Sequence, residues 1–293
     1  MTEREPSTAT RLLLASRPLS WVNTAYPFAA AMLLAGTGVD ARLVIGTLFF
    51  LVPYNLLMYG VNDVFDYASD AANPRKGGAE GALLPPRTHR LVLGLAFGLT
   101  IPFVVALAVL GGPWSWVVLA VLLFDVIAYS MPPLRWKEVP VLDSLSSSIH
   151  FTGPAVYGLV LADASWDVTT VLVLVAFLLW GMASHAFGAV QDVVPDRAAG
   201  ISSVATAFGA RATVRLALGA WALAGALMLL VPFPGMLAAV LAVPYLVLAW
   251  PFRSVSDADS GRANRGWRHF LWVNYLAGFV VTLLLIWIAL LAP

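Results

Sequence analysis

Stretches of roughly 20 apolar residues recur nine times along this chain, and that recurrence limits its fold more than any other feature. A helix of ~20 residues rises about 30 Å, the thickness of a bilayer's hydrocarbon core. The stretches are expected at 19–36, 42–60, 90–111, 114–130, 141–161, 168–190, 212–231, 235–251 and 269–291. Inside lipid each backbone amide must find its partner within the protein, which leaves helical bundles or closed barrels. No ten-residue alternation of the barrel type is present, so the expected class is all-α, a polytopic bundle of nine transmembrane helices. Composition agrees, with 60% hydrophobic and only 11% charged residues. Gly111-Gly112-Pro113 and Pro232-Phe233-Pro234 read as tight turns between neighbouring helices. The expected organisation is a short N-terminal segment, 1–18, without a cleaved signal peptide, followed by one transmembrane domain over 19–293.

Charge then orients the bundle. With nine spans, 16 of the 17 lysines and arginines fall on one side, and Arg42 alone falls on the other. That asymmetry makes the basic side cytoplasmic, in the cell membrane, with the amino terminus inside. A net charge of +1 carries no message about nucleic acid, and none is expected as a partner. The absence of cysteine excludes disulfides, thiolate nucleophiles and cysteine-ligated zinc.

Two acidic motifs stand at the ends of apolar stretches on this cytoplasmic side. In Asn62-Asp63-Val64-Phe65-Asp66-Tyr67-Ala68-Ser69-Asp70, a helix running on past the second span would carry Asp63, Asp66 and Asp70 on one face. Carboxylates so placed repel one another and call for cations. Their oxygens, with the Asn62 amide, are hard ligands suited to Mg²⁺, an ion commonly held by a few carboxylates and a substrate's phosphates. The plainer alternative is a solvated acidic helix end. After the sixth span, Asp192 and Asp196 in Gln191-Asp192-Val193-Val194-Pro195-Asp196 form a second pair at i and i+4. Either set supplies too few oxygens for a closed cage, but together they would hold metals on both sides of a diphosphate.

Basic and polar residues near the motifs fit the same ligand. Arg75 and Lys76 follow the first motif, and Tyr129, Arg135 and Lys137 close the fourth span. Guanidinium forks and ammonium groups hold phosphate oxygens, although such residues also serve as topology determinants, the reading preferred for Arg253, Arg262, Arg265 and Arg268. His185 lies seven residues before Asp192, two turns deeper on the same face; it is read either as a proton acceptor or water holder, or as a histidine bonded to a neighbouring helix. Asn23 and Asn55 are expected to point into the cavity, Asp143 to begin the fifth helix, and Asn274 to bind a neighbouring helix.

These motifs resemble those of the UbiA-type intramembrane prenyltransferases: Asn62-Asp63-x-x-Asp66-x-x-x-Asp70, Tyr129 through Arg135-x-Lys137, and Asp192-x-x-x-Asp196. Within that superfamily the flanking text around Ser16–Pro27, Asn73–Gly78 and Ser184–Asp192 is most similar to the bacterial lycopene elongases of C50 carotenoid biosynthesis. The resemblance implies a Mg²⁺-dependent transfer of a dimethylallyl group from dimethylallyl diphosphate to lycopene, giving C45 or C50 products, with hydration possible. It implies Asn62, Asp63, Asp66, Asp70, Asp192 and Asp196 as metal ligands, and Asp63, Asp66, Asp192, Asp196 and His185 as catalytic. Asn23, Asn62, Arg75, Lys76, Tyr129, Arg135, Lys137 and Gln191 would bind substrate. Membrane lipid and carotenoid cyclases are the implied partners. Asn73-Pro74-Arg75-Lys76 departs from the Arg-Pro pair of many quinone-pathway members. An aromatic or other lipid acceptor is the alternative within the superfamily, and a transporter the alternative outside it.

Overall fold

The computed structural model describes residues 7–72 and 83–291, and these form helices and turns with no strand among them. The helices are α1 (Thr8–Ala15), α2 (Trp21–Leu34), α3 (Ala41–Leu51), α4 (Pro53–Phe65), α5 (Tyr67–Ala72), α6 (Pro86–Leu110) and α7 (Pro113–Ser130). They continue as α8 (Leu142–Leu161), α9 (Val168–Val190), α10 (Val193–Ala198), α11 (Val204–Phe208), α12 (Ala210–Met228), α13 (Ala242–Ala249) and α14 (Asn264–Leu291). Each of the nine apolar stretches lies on helix. Among the described residues, six helical segments are long and apolar enough to cross a membrane: Ala41–Phe65, Pro86–Leu110, Pro113–Ser130, Val168–Val190, Gly235–Phe252 and Ser260–Leu291. This is a multi-pass membrane protein. The other three stretches fall short for visible reasons. Helix α2 has only 14 residues, α8 opens with Asp143 and a run of serines, and α12 carries Arg211 and Arg215.

The chain forms two compact units, the first from Met1–Arg135 with Gly153–Ala164 and the second from Trp136–Thr152 with Ser165–Pro293. In the first, the expected second span is two helices, not one. Pro53 has no N–H to continue the α3 ladder, and the chain breaks between Leu51 and Pro53. Carbonyls freed by that break would be costly in lipid. Asn55, fully buried, donates to the carbonyl oxygens of Phe50 (2.8 Å) and Leu51 (3.1 Å) and to Thr24 Oγ1 (2.7 Å); Thr24 in turn donates to Phe50 O at 2.6 Å. Asn55 therefore mends the backbone and does not face a ligand cavity.

Around the break, Phe28, Phe49, Phe50, Tyr54 and Tyr157 pack as a buried aromatic cluster, with Phe28 and Phe50 centroids 5.1 Å apart. Gly46 makes this possible, since a Cβ there would lie 2.1 Å from the Phe28 ring. A smaller cluster of Ala15, Leu84 and Val92, with Leu12 and Val64 against it, ties α1 to α4 and α6. Arg42 is locally neutralised: it pairs with Asp40 at 2.7 Å and donates to Leu161 O at 3.2 Å. Asp40 caps α3, and the Leu43 N–H together with the Arg42 guanidinium holds its carboxyl below the ordinary carboxylate range.

The second unit is built on α9, α12, α13 and α14. Phe187, Trp221, Tyr245 and Phe270 fill its core, with Trp180 and Trp267 packed against them. Tyr245 donates from its hydroxyl to Asn274 Oδ1 at 2.9 Å, the interhelical bond expected of Asn274. Asp257, in the turn before α14, accepts from the Ala210 N–H that opens α12 and pairs with Arg197 at 2.6 Å. Those two donors, the amide first, hold its carboxyl below the usual range.

Candidate active site

The first acidic motif does not lie on one continuous helix. Helix α4 stops at Phe65, Asp66 turns, and α5 starts at Tyr67, although Asp66 N still bonds Asn62 O (2.9 Å) and Asp70 N bonds Asp66 O (2.8 Å). Asp63 thus occupies the last turn of α4, Asp66 its C-cap, and Asp70 the first turn of α5. Carboxylates at the carboxyl end of α4 oppose its dipole, so cations are needed there.

Two arginines supply positive charge. Arg17 donates to Asp63 Oδ1 at 3.0 Å and lies over the Tyr59 ring, 4.2 Å from its centroid. Arg135 reaches Asp66 Oδ1 at 3.4 Å. Both have left-handed backbones, φ 49° for Arg17 and 40° for Arg135, a conformation that costs a non-glycine residue about 1–3 kcal/mol. Val141 and Asp163 also have positive φ, but only Arg17 and Arg135 among these four reach the acidic motif. Arg135 was legible from its spacing. Arg17 was not, because in the sequence it is one of three arginines before the first span, indistinguishable from a topology determinant.

Asn62 donates from Nδ2 to Ser130 Oγ at 3.1 Å, which ties α4 to the end of α7. Asp63 is buried, while Asn62, Asp66 and Asp70 are partly exposed. Tyr129 is half-buried beside Ser130, and the Tyr67 ring meets His89 edge-on at 5.3 Å. Asn23 is exposed on α2. Arg75 and Lys76 lie outside the described residues.

In the second unit, Asp192 begins α10 and Asp196 follows one turn on, with Asp196 N bonded to Asp192 O at 2.9 Å. Both are partly exposed, as is Lys137 in the turn Trp136–Glu138. Gln191 is buried, and its side-chain oxygen accepts from Asn264 Nδ2, so the amide joins α9 to the start of α14. His185 Nε2 stands 3.7 Å from Asp143 Oδ2. Asp143 is fully buried, more than the helix start it seemed to be.

Among the described residues no three His, Asp or Glu side chains form a group able to hold a metal ion by themselves. The donor chemistry nevertheless fits magnesium. Amide and carboxylate oxygens are its ligands, it takes few of them from protein when phosphates complete the shell, and Asp63 and Asp66 already attract cationic groups.

A model of the UbiA prenyltransferase family matches residues 24–276. The chain belongs to this family. It is a prenyltransferase, as the motifs led one to expect. A lycopene elongase/hydratase of Corynebacterium glutamicum is 48% identical over 275 residues, covering 94% of this chain and 96% of that protein. A C(50) beta-cyclic carotenoids biosynthesis protein of Dietzia sp. is 50% identical over 283 residues, 96% of this chain but 66% of that longer protein. A lycopene elongase/hydratase of Halobacterium salinarum is 34% identical over 94% of the chain. Two solved structures share the fold. A UbiA homologue of Archaeoglobus fulgidus bound to DMAPP and Mg²⁺ has a TM-score of 0.66 at 17% identity, covering 91% of this chain and 98% of that one. An apo UbiA homologue of Aeropyrum pernix has a TM-score of 0.68 at 17% identity, covering 89% and 97%.

Proposed function

We propose that this UbiA-family protein is a lycopene elongase, a Mg²⁺-dependent enzyme that transfers the dimethylallyl group of dimethylallyl diphosphate to lycopene and yields C45 and C50 carotenoids. The observation that carries the reading is the near-half identity, over almost the whole chain, to proteins named lycopene elongase/hydratase. The active site faces the cytoplasm in the cell membrane, which supports access of a water-soluble diphosphate from one side and a polyene from the lipid. A carotenoid cyclase is the expected neighbour in the sequence of reactions.

Asn62, Asp63, Asp66 and Asp70, together with Asp192 and Asp196, would hold magnesium, which when bound neutralises the diphosphate and favours its departure. Arg17 and Arg135, with Arg75, Lys76 and Lys137, take the phosphate oxygens. Each guanidinium now on a carboxylate can turn to a phosphate once metal satisfies that carboxylate. Charge on fixed groups in a water-poor site stabilises the leaving diphosphate as the allylic C–O bond breaks. The terminal double bond of lycopene then gives its electron pair to the allylic carbon, and a tertiary carotenoid cation is left. Apolar helices keep bulk water from it. His185 accepts the proton that this cation, or a water molecule adding to it, must lose.

The test is pigment analysis of a lycopene-producing bacterium that expresses the chain. C45 and C50 carotenoids are the expected products. Unchanged lycopene beside a prenylated aromatic compound would refute the acceptor assignment, and no transfer activity of any kind would refute the mechanism.

A further inference from the structure

Asp143 is a buried acid that the reaction above does not use. It lies at the start of α8, with no exposed surface. Three elements meet on its carboxylate. Ser144 N donates to Oδ1 at 2.7 Å, and Val204 N, the first amide of α11, donates to Oδ2 at 2.8 Å. His185 of α9 presents Nε2 to the same Oδ2 at 3.7 Å. The register of α8 and α9 fixes this meeting: Ser148 donates to Leu178 O at 2.7 Å, and Gly181 lies so close that a Cβ there would be 2.2 Å from Ser148 Oγ. Antiparallel helices locked at Ser148 and Gly181 bring Asp143 beside His185 one turn further along.

The geometry divides the two ring nitrogens between two tasks. At 3.7 Å the two groups are at ion-pair distance and beyond hydrogen-bond length; because a carboxylate accepts and cannot donate, a neutral imidazole that closes on Asp143 carries its proton on Nε2. Nδ1 then keeps its lone pair. The His185 side chain is 23% exposed, whereas Asp143 is sealed, so a ligand can meet the histidine and not the acid.

We propose that Asp143 is a positioning residue that sets the tautomer of His185 and stabilises the imidazolium formed when Nδ1 takes up a proton, and that this pair decides how the carotenoid cation is quenched. The proposal rests on the elongase reading. In one outcome a C–H bond next to the cationic carbon breaks, its electrons form the new double bond, and the proton goes to Nδ1. In the other, water oxygen bonds to the cationic carbon and the water proton goes to Nδ1. Both leave a neutral carotenoid and an imidazolium beside the Asp143 carboxylate.

Two readouts test it, one without substrate. Nitrogen-15 NMR of histidine-labelled full-length protein in detergent, which distinguishes the protonated from the unprotonated ring nitrogen of a neutral imidazole, should place the His185 proton on Nε2. The chain has four histidines, and His185→Gln assigns the signal. A proton on Nδ1 of the neutral ring overturns the proposal even if Asp143→Asn fails to accumulate. In the lycopene-producing host, Asp143→Asn and His185→Gln should change the ratio of hydroxylated to non-hydroxylated elongated carotenoids in the same sense by about tenfold, with the double variant no worse than His185→Gln alone. An Asp143→Asn ratio equal to that of the wild type, with His185→Gln altered, also overturns it. If the wild type makes no elongated carotenoid, the elongase reading fails and the quenching role with it; the NMR result then reports separately on positioning.

Discussion

Arg17→Ala isolates the contact that the sequence concealed. Two interactions would be lost: a charge-assisted hydrogen bond to Asp63 at 3.0 Å and the guanidinium stack on Tyr59 at 4.2 Å. The Asp63 side chain has no exposed surface and that of Arg17 is 24% exposed, so water screens the pair poorly. A hydrogen bond to a charged group contributes about 1.5–3 kcal/mol and a partly desolvated cation–π contact about 0.5–1 kcal/mol, which sets the expected loss at about 2–4 kcal/mol. Alanine keeps the left-handed backbone of position 17, but Arg17→Gly relieves it, so the glycine variant should be the more stable by about 1 kcal/mol. The assay is thermal unfolding of detergent-purified protein in a double-mutant cycle with Asp63→Asn. Coupling between positions 17 and 63 should exceed about 1 kcal/mol. Additive effects, or a loss below about 0.5 kcal/mol for Arg17→Ala, would mean that the ion pair contributes nothing and that Arg17 only marks topology.

Asn55→Leu should cost about 2–4 kcal/mol and lower the amount of folded protein in membranes, because the carbonyls of Phe50 and Leu51 lose the donor that covers them; accumulation at the wild-type level would refute the repair of the Pro53 break. Gly46→Ala should destabilise by about 1–3 kcal/mol, and Phe28→Leu should restore part of that loss, since the added Cβ meets the Phe28 ring. Asp257→Asn should cost about 1 kcal/mol or less at neutral pH, because Asp257 is partly solvent-exposed. Its native carboxyl is held low, so the stability it adds is complete above the unfolded value of about 4 and fades as pH falls below that. Unfolding midpoints of wild type and variant should therefore converge in acid, and a gap independent of pH would refute the assignment.

The membrane class and the positions of the helices were legible because burial in lipid imposes a run length that any reader can count. What a run could not reveal is which polar residue serves the backbone and which serves a ligand. Asn55 and Asn62 are both amides on one helix. The first is consumed by a proline break, and the second donates to Ser130 on α7. Gln191 adjoins Asp192, yet Asn264, 73 residues away, takes its side-chain oxygen. Asp143 looked like a helix start because a carboxylate in a first turn usually is one; its other contacts, Val204 and His185, come from distant sequence. Arg17 was hidden for the same reason, since only the folded chain tells an arginine on a buried acid from one at a membrane surface.

The central claim is that carboxylates distant in sequence serve a single diphosphate. Its most direct test is inorganic diphosphate released by purified protein supplied with dimethylallyl diphosphate, lycopene and Mg²⁺, comparing wild type with Asp66→Ala and Asp192→Ala. The account predicts that each variant, still folded in detergent, loses at least about a hundredfold in turnover, and that EDTA abolishes the wild-type reaction. Turnover near the wild-type level in either variant would contradict it.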